Sequence, residues 1–314
     1  MRKILIKLSP SSPLAKALAA WALIIGAASL GVAGNVNASA VGLVEKGQGP
    51  TMVFIPGLIS GRETFTETCE AFVMKHRCLL LDLPGFAGQK PIDVQRGFFS
   101  PVEEQIILLL RDNHVAHATL VGHSLGGVLA MLIALDAPDL VDRLILVDSL
   151  PFYPATQNPG LTAQLMKPQA EQMRAQMNAV SDEDFVKLTA QSAAGMSNTA
   201  ARHGLLTEWS RSSDRATTTA AMVDLMTTDL RGRISGLSQP VLVLGSWAAY
   251  KQYGATLEST KATFSLQYAA HPGVDIRISQ TGYHFLTWDD GAWVNKQIRD
   301  FLIRTVGRKS SHQP

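Results

Sequence analysis

Ala118-Thr119-Leu120-Val121-Gly122-His123-Ser124-Leu125-Gly126-Gly127 decides how the rest of the chain is read. An apolar, β-branched run enters the G-x-S-x-G pattern directly, and an apolar, helix-like stretch over residues 128–135 leaves it. The five-residue pattern alone arises by chance; a strand leading in and a helix leading out carry the signal. A strand that turns into a helix this sharply forces the middle residue into strained backbone, and only small neighbours leave room for it. Gly122 and Gly126 supply that room. Such a turn lifts the Ser124 hydroxyl above the sheet edge. It also sets the Leu125 N–H at a helix start, where amide donors have no partner within the helix. The stretch therefore predicts a nucleophilic Ser124 and an oxyanion donor at Leu125.

Strand and helix signals alternate on both sides of this turn. Residues 41–45, 51–55, 78–83, 119–123, 144–147, 241–244 and 274–279 read as strands, and residues 62–75, 103–110, 127–136 and 293–306 as helices. Short, continuously apolar strands separated by helices imply an α/β fold whose mostly parallel sheet is covered on both faces. Residues 151–236 break the alternation: no strand-like run occurs, and Met166, Met173, Met177, Met196, Met222 and Met226 are six of the ten methionines in the chain. The expected organisation is a core of residues 41–150 and 237–306, a helical cap of residues 151–236, and a polar tail of residues 307–314.

The first 40 residues read differently. Arg2, Lys3, Lys7 and Lys16 precede an apolar run over residues 18–32, followed by Ala38-Ser39-Ala40. A basic start, an apolar stretch and an A-x-A site predict a secretory signal and a periplasmic or secreted protein; an uncleaved N-terminal membrane anchor is the alternative. Loss of the four basic residues takes the formal charge from +2 to −2, which leaves no cationic excess for nucleic acid or anionic lipid. Export also makes Cys69 and Cys78 a candidate disulfide, with two buried thiols as the other reading. No His/Cys cluster has ligand spacing, so no metal or other cofactor is expected.

Strand, serine turn, helix, strand, helical insertion, two further strands and a late histidine together resemble the α/β-hydrolase superfamily, over essentially the whole of the expected mature chain. The superfamily hosts many chemistries, so the resemblance alone does not name a reaction. Its chain order of nucleophile, acid and histidine implies a base late in the sequence. His284, in Thr281-Gly282-Tyr283-His284-Phe285 after the last strand, fits. His76, His114, His117 and His271 precede strands and so lie at the wrong end of a parallel sheet, whose ligand-binding edge is the carboxyl end. His123 is expected to point away from the site. His203 falls in the insertion and His312 in the tail.

The acid departs from the superfamily pattern. Members most often carry it after the strand that here is residues 241–244, yet Gly245-Ser246-Trp247-Ala248-Ala249-Tyr250 holds no carboxylate. Asp148, at the end of the strand after the serine helix, is the next candidate, a placement found in some lipase-like and dehalogenase-like members. Asp289 and Asp290 are expected to cap the last helix. The resemblance also implies a second oxyanion donor from Pro56-Gly57-Leu58-Ile59, either Leu58 or Ile59, with Leu58 preferred.

A serine activated by histidine beside oxyanion donors suits acyl transfer to water, with carboxylic esters first. A dehalogenase would need a carboxylate where Ser124 stands. The methionine-rich cap would add adaptable apolar surface, and Trp247 and Tyr250 are candidate substrate contacts. The expected partner is a small ester, with a hydrophobic acyl or aromatic group, and no nucleic acid or stable membrane insertion after signal cleavage. Carbon–carbon bond hydrolysis, peptide hydrolysis, perhydrolysis and a non-catalytic lidded binder are the alternatives.

Overall fold

The computed structural model describes residues 40–306. The expected signal, apart from Ala40, and the polar tail lie outside the described residues. Among the described residues seven strands form one sheet: β1 (Gly42–Lys46), β2 (Thr51–Ile55), β3 (Arg77–Asp82), β4 (Ala118–His123), β5 (Val141–Val147), β6 (Val241–Ser246) and β7 (Asp275–Ser279). Their spatial order is β1-β3-β2-β4-β5-β6-β7. Only the β1–β3 pair runs antiparallel. The expected α/β architecture with a mostly parallel sheet is what forms.

Successive strand residues face opposite sides of the sheet, and this alternation divides the core. Val53, Ile55, Leu79, Leu81, Leu120, Leu144 and Leu146 pack with Ile106 and Leu110 of α2 (Phe99–Asp112) and with Leu129 and Ile133 of α3 (Leu125–Asp136). Met52, Phe54, Leu80, Val121, Ile145, Val147, Leu242 and Leu244 face Phe72 of α1 (Thr66–Phe72) and Val294, Ile298 and Phe301 of the closing helix (Gly291–Val306). Each fully buried apolar side chain of this kind contributes about 1.5–3 kcal/mol of transfer free energy. These two layers make a rigid bed for the carboxyl ends of β4, β5 and β6.

The segment between β5 and β6 is helical, as its composition suggests. It contains α4 (Ala163–Ala179), α5 (Asp182–Ala194), α6 (His203–Ser212) and α7 (Arg215–Thr227). Ser181 and Asp214 cap α5 and α7 by accepting from the backbone N–H groups of Asp184 and Thr217. Met166 and Met226 serve as core, packed with Phe152, Ala155, Ala170 and Val223. Among the described residues two helices after β6 escape the sequence reading, the longer being α8 (Leu257–Gln267), started by a reciprocal capping box between Thr256 and Ser259. The short α9 (Leu286–Asp289) then precedes the closing helix, α10. Cys69 and Cys78 are both fully buried and remain two free thiols, with the Cys78 thiol directed at the Cys69 carbonyl oxygen 3.7 Å away. Burial pushes both thiols up in pKa, so neither has thiolate character.

Candidate active site

Ser124 stands between β4 and α3 with φ 52° and ψ −120°, the strained geometry its neighbours were read to permit. The sterics are unforgiving. A Cβ on Gly122 would lie 2.3 Å from the Gly126 carbonyl oxygen, and a Cβ on Gly126 2.2 Å from that of Ile55. The turn is pinned to β5 by Ser124 N–H donating to the Val147 carbonyl at 3.0 Å, while the Ser149 hydroxyl donates to the Ser124 carbonyl at 2.7 Å. Leu125, as the first residue of α3, carries an N–H that the helix does not use.

Asp148 directly follows the neighbouring strand β5, also at positive φ (45°), a conformation that aspartate tolerates better than most residues. Its carboxylate is nearly buried, with a side chain 6% exposed. Oδ1 accepts from Ser246 N–H at 2.7 Å, and Oδ2 accepts from the Ser246 hydroxyl at 2.8 Å. Ser246, in the stretch where the resemblance led one to look for a carboxylate, thus holds the Asp148 carboxylate with both its N–H and its hydroxyl. Oδ2 also lies 2.6 Å from His284 Nδ1. A carboxylate only accepts, so Nδ1 carries the proton and Nε2 of the neutral ring keeps its lone pair.

His123 is not directed away from this site, contrary to the sequence expectation. Its ring centroid is 4.5 Å from that of His284, and its Nε2 donates to the His284 carbonyl oxygen at 3.0 Å. The reason is steric: Gly57 has no side chain where a Cβ would come within 2.9 Å of His123 Nδ1 and 3.2 Å of Ser124 Cβ. The same contact brings the Pro56-Gly57-Leu58 turn against the serine. His123, the chain neighbour of Ser124, thus links the serine turn to the His284 backbone.

Asp289 does not cap the last helix. Its Oδ1 accepts from the Ser197 hydroxyl, the Thr199 N–H and the Thr199 hydroxyl, and its Oδ2 from the Asn198 and Tyr283 N–H groups. Phe285 N–H adds a bond to the Met196 carbonyl. The loop bearing His284 is therefore clasped to the helical segment, and Leu206 and Trp209 of α6 pack on Phe285 and Trp288. The carboxylate of Asp290, directly before α10, is likewise spent elsewhere, on the Ser279 and Thr281 hydroxyls.

Of the aromatic candidates, Trp247 donates its indole N–H to the Ala255 carbonyl at 3.0 Å and has Lys251 over its ring. Tyr250, 46% exposed, feels the site: the negative charge of Asp148, then burial, then Tyr153 push its phenol up in pKa. Among the described residues no cluster of His, Cys, Asp and Glu has the geometry of a metal centre. His117 pairs with Asp142 at 3.1 Å, and His203 Nε2 meets the Ser197 carbonyl at 2.9 Å. Neither joins the Ser124 cluster.

Comparison with known proteins agrees with this architecture. The enol-lactonase from Burkholderia xenovorans LB400 superposes with a TM-score of 0.67 at 16% identity, covering 84% of this chain and 96% of that one. The esterase EaEST from Exiguobacterium antarcticum gives 0.69 at 15% identity, covering 83% and 94%. In sequence, the sn-1-specific diacylglycerol lipase ABHD11 of Xenopus laevis is 30% identical over 123 residues, 38% of this chain and 39% of the relative. The pimeloyl-[acyl-carrier protein] methyl ester esterase of Aeromonas hydrophila is 32% identical over 123 residues, 38% of this chain and 46% of the relative. The matches thus span less than half of these relatives. The family model described as the alpha/beta hydrolase fold matches residues 50–271, and with the sheet order and serine turn above, this chain belongs to that family.

Proposed function

We propose that the protein is a serine hydrolase of carboxylic esters that works through an acyl-enzyme. The observation that carries this reading is the 2.6 Å contact between Asp148 Oδ2 and His284 Nδ1, beside a serine held at positive φ on the serine turn. Ester chemistry in the names of the sequence relatives, a diacylglycerol lipase and a methyl ester esterase, supports it.

In this scheme His284 Nε2 takes the Ser124 hydroxyl proton as Oγ attacks the ester carbonyl carbon. The charge developing on the carbonyl oxygen is met by the N–H groups of Leu125 and Leu58, each such donor lowering the barrier by about 3–4 kcal/mol. The imidazolium then returns its proton to the leaving alkoxide, and the carbon–oxygen bond breaks. A water molecule repeats the sequence on the acyl-enzyme and releases the acid and free serine. Asp148 holds the ring in the tautomer that leaves Nε2 basic and stabilises the imidazolium. The scheme uses no metal or other cofactor. Trp247, Tyr250 and the cap supply aromatic and apolar surface suited to hydrophobic acyl or aromatic esters. The basic and apolar amino-terminal pattern with its A-x-A site supports export to the periplasm or out of the cell, with an N-terminal membrane anchor as the alternative. Among the described residues no helix is long and apolar enough to cross a membrane.

Turnover of p-nitrophenyl esters from acetate to decanoate tests the reading. Hydrolysis by the wild-type protein that is abolished in Ser124→Ala is expected; equal rates in the two proteins would remove the serine from the mechanism.

A further inference from the structure

The side chain between Gly122 and Ser124 has no part in the scheme above, yet its surroundings are built with care. His123 is 1% exposed. Its ring packs against those of His284, at 4.5 Å, and Phe285, at 4.9 Å, which are themselves 5.7 Å apart. A carbonyl oxygen only accepts hydrogen bonds, so the 3.0 Å contact between Nε2 and the His284 carbonyl places the proton of His123 on Nε2. Nδ1 is then a bare lone pair. It is buried without a partner among the described residues, facing the slot that Gly57 leaves open.

This environment holds His123 neutral. A second proton would sit on Nδ1 with no acceptor, beside an imidazole that itself becomes cationic during turnover. Burial first, and then the charge of His284, lower its pKa well below the usual imidazole range. His123 can therefore act as a donor of fixed direction while His284 gains and loses its proton.

The need for such a donor follows from the loop. His284 lies outside regular secondary structure, between β7 and α9. The bond from Nδ1 to Asp148 holds the side chain but does not hold the backbone of the loop. A second bond at the residue's own carbonyl fixes the backbone end. Because His123 directly precedes Ser124, one residue ties the backbone of the nucleophile to that of the base.

We propose that His123 is a positioning residue for the reaction: its Nε2–H grips the His284 carbonyl and sets the distance between the His284 imidazole and the Ser124 hydroxyl. This rests on the serine-hydrolase reading above. A misplacement of about 1 Å at a reacting pair can cost about a hundredfold in rate, so the loss expected on breaking the grip lies between about tenfold and a hundredfold.

The test uses p-nitrophenyl butyrate with His123→Gln, His123→Asn and His123→Leu, alongside Ser124→Ala. Glutamine places an amide nitrogen near the position of Nε2, whereas asparagine reaches only that of Nδ1 and leucine donates nothing. The glutamine variant is expected to retain kcat to within about threefold, and the other two to lose about tenfold or more with KM nearly unchanged. Equal kcat in the leucine variant and the wild type, with Ser124→Ala inactive, would overturn the positioning role alone. Full activity in Ser124→Ala would instead overturn the hydrolase reading and the role with it. Should the substituted proteins fail to fold, nitrogen NMR of the wild-type imidazoles decides: the Nε2–H tautomer of His123 is expected, and the Nδ1–H tautomer would refute the grip.

Discussion

Replacing Asp148 with asparagine isolates the acid at almost no cost to the backbone, because asparagine also accepts the positive φ of 45° found there. The structure dictates what the amide does next. Ser246 N–H is a fixed donor and must keep an acceptor at the Oδ1 position, 2.7 Å away. The amide oxygen therefore takes that position, and the NH2 group lands where Oδ2 now meets the Ser246 hydroxyl and His284 Nδ1. The serine hydroxyl can rotate and accept. The imidazole cannot keep a proton on Nδ1 facing a donor, so it adopts the Nε2–H tautomer and presents Ser124 with a proton in place of a lone pair. The equivalent change in a well-studied serine protease lowers kcat about ten-thousandfold, or about 5 kcal/mol of transition-state stabilisation. A loss of that order is expected here in kcat for p-nitrophenyl esters, with thermal unfolding within a few degrees of wild type and KM little changed. Turnover within tenfold of wild type, in a folded variant, would mean that Asp148 does not set the tautomer.

Four further outcomes are expected. Burial, then the negative charge and hydrogen bond of Asp136, push the Glu103 carboxyl up to about 7. Because the folded state binds this proton more tightly than the unfolded chain does, the associated stability is full below the ordinary carboxylate value of 4.5 and is lost as pH rises through 7. Glu103→Gln should flatten the fall in Tm between pH 5 and 8 and exceed wild type at pH 8; parallel Tm curves would contradict this. Removing the Asp289 carboxylate with Asp289→Ala strands donors on Ser197, Asn198, Thr199 and Tyr283, a cost of about 1–3 kcal/mol. It should speed hydrogen exchange at the Thr199 and Tyr283 amides before it affects the sheet. Gly126→Ala drives a Cβ into the Ile55 and Pro56 carbonyls and should destabilise by about 1–3 kcal/mol or more while lowering kcat/KM, as read by Tm and ester hydrolysis. Gly204→Ala, in open space on α6, should instead raise Tm slightly.

The fold was legible because its signals are local and redundant. Apolar strand runs ended by Pro84-Gly85 or by the serine turn leave little choice of period, and all seven strands form within a few residues of their expected limits. The helix α8 was missed because its apolar residues are sparse and its clearest mark is the Thr256–Ser259 capping box. In the site, Ser124, Asp148 and His284 are singled out by their places after strands and by the family's chain order, and the structure brings the Asp148 and His284 side chains to 2.6 Å. The direction of His123 was misjudged because it depends on the absence of a Cβ on Gly57, distant in sequence. The role of Asp289 was hidden for a similar reason: its partners come from residues 197–199, about 90 positions earlier, and no local pattern announces them. Backbone strain and capping are written in neighbouring residues, whereas side-chain networks across the insertion are not.

The most direct measurement of the central claim is covalent labelling with a fluorophosphonate, read by mass spectrometry of the digested protein. One adduct on the peptide containing Ser124 is expected, formed at a rate that falls steeply in His284→Ala and Asp148→Asn and absent in Ser124→Ala. A folded wild-type protein that gains no adduct, or gains it on another residue, would contradict the assignment of Ser124 as nucleophile.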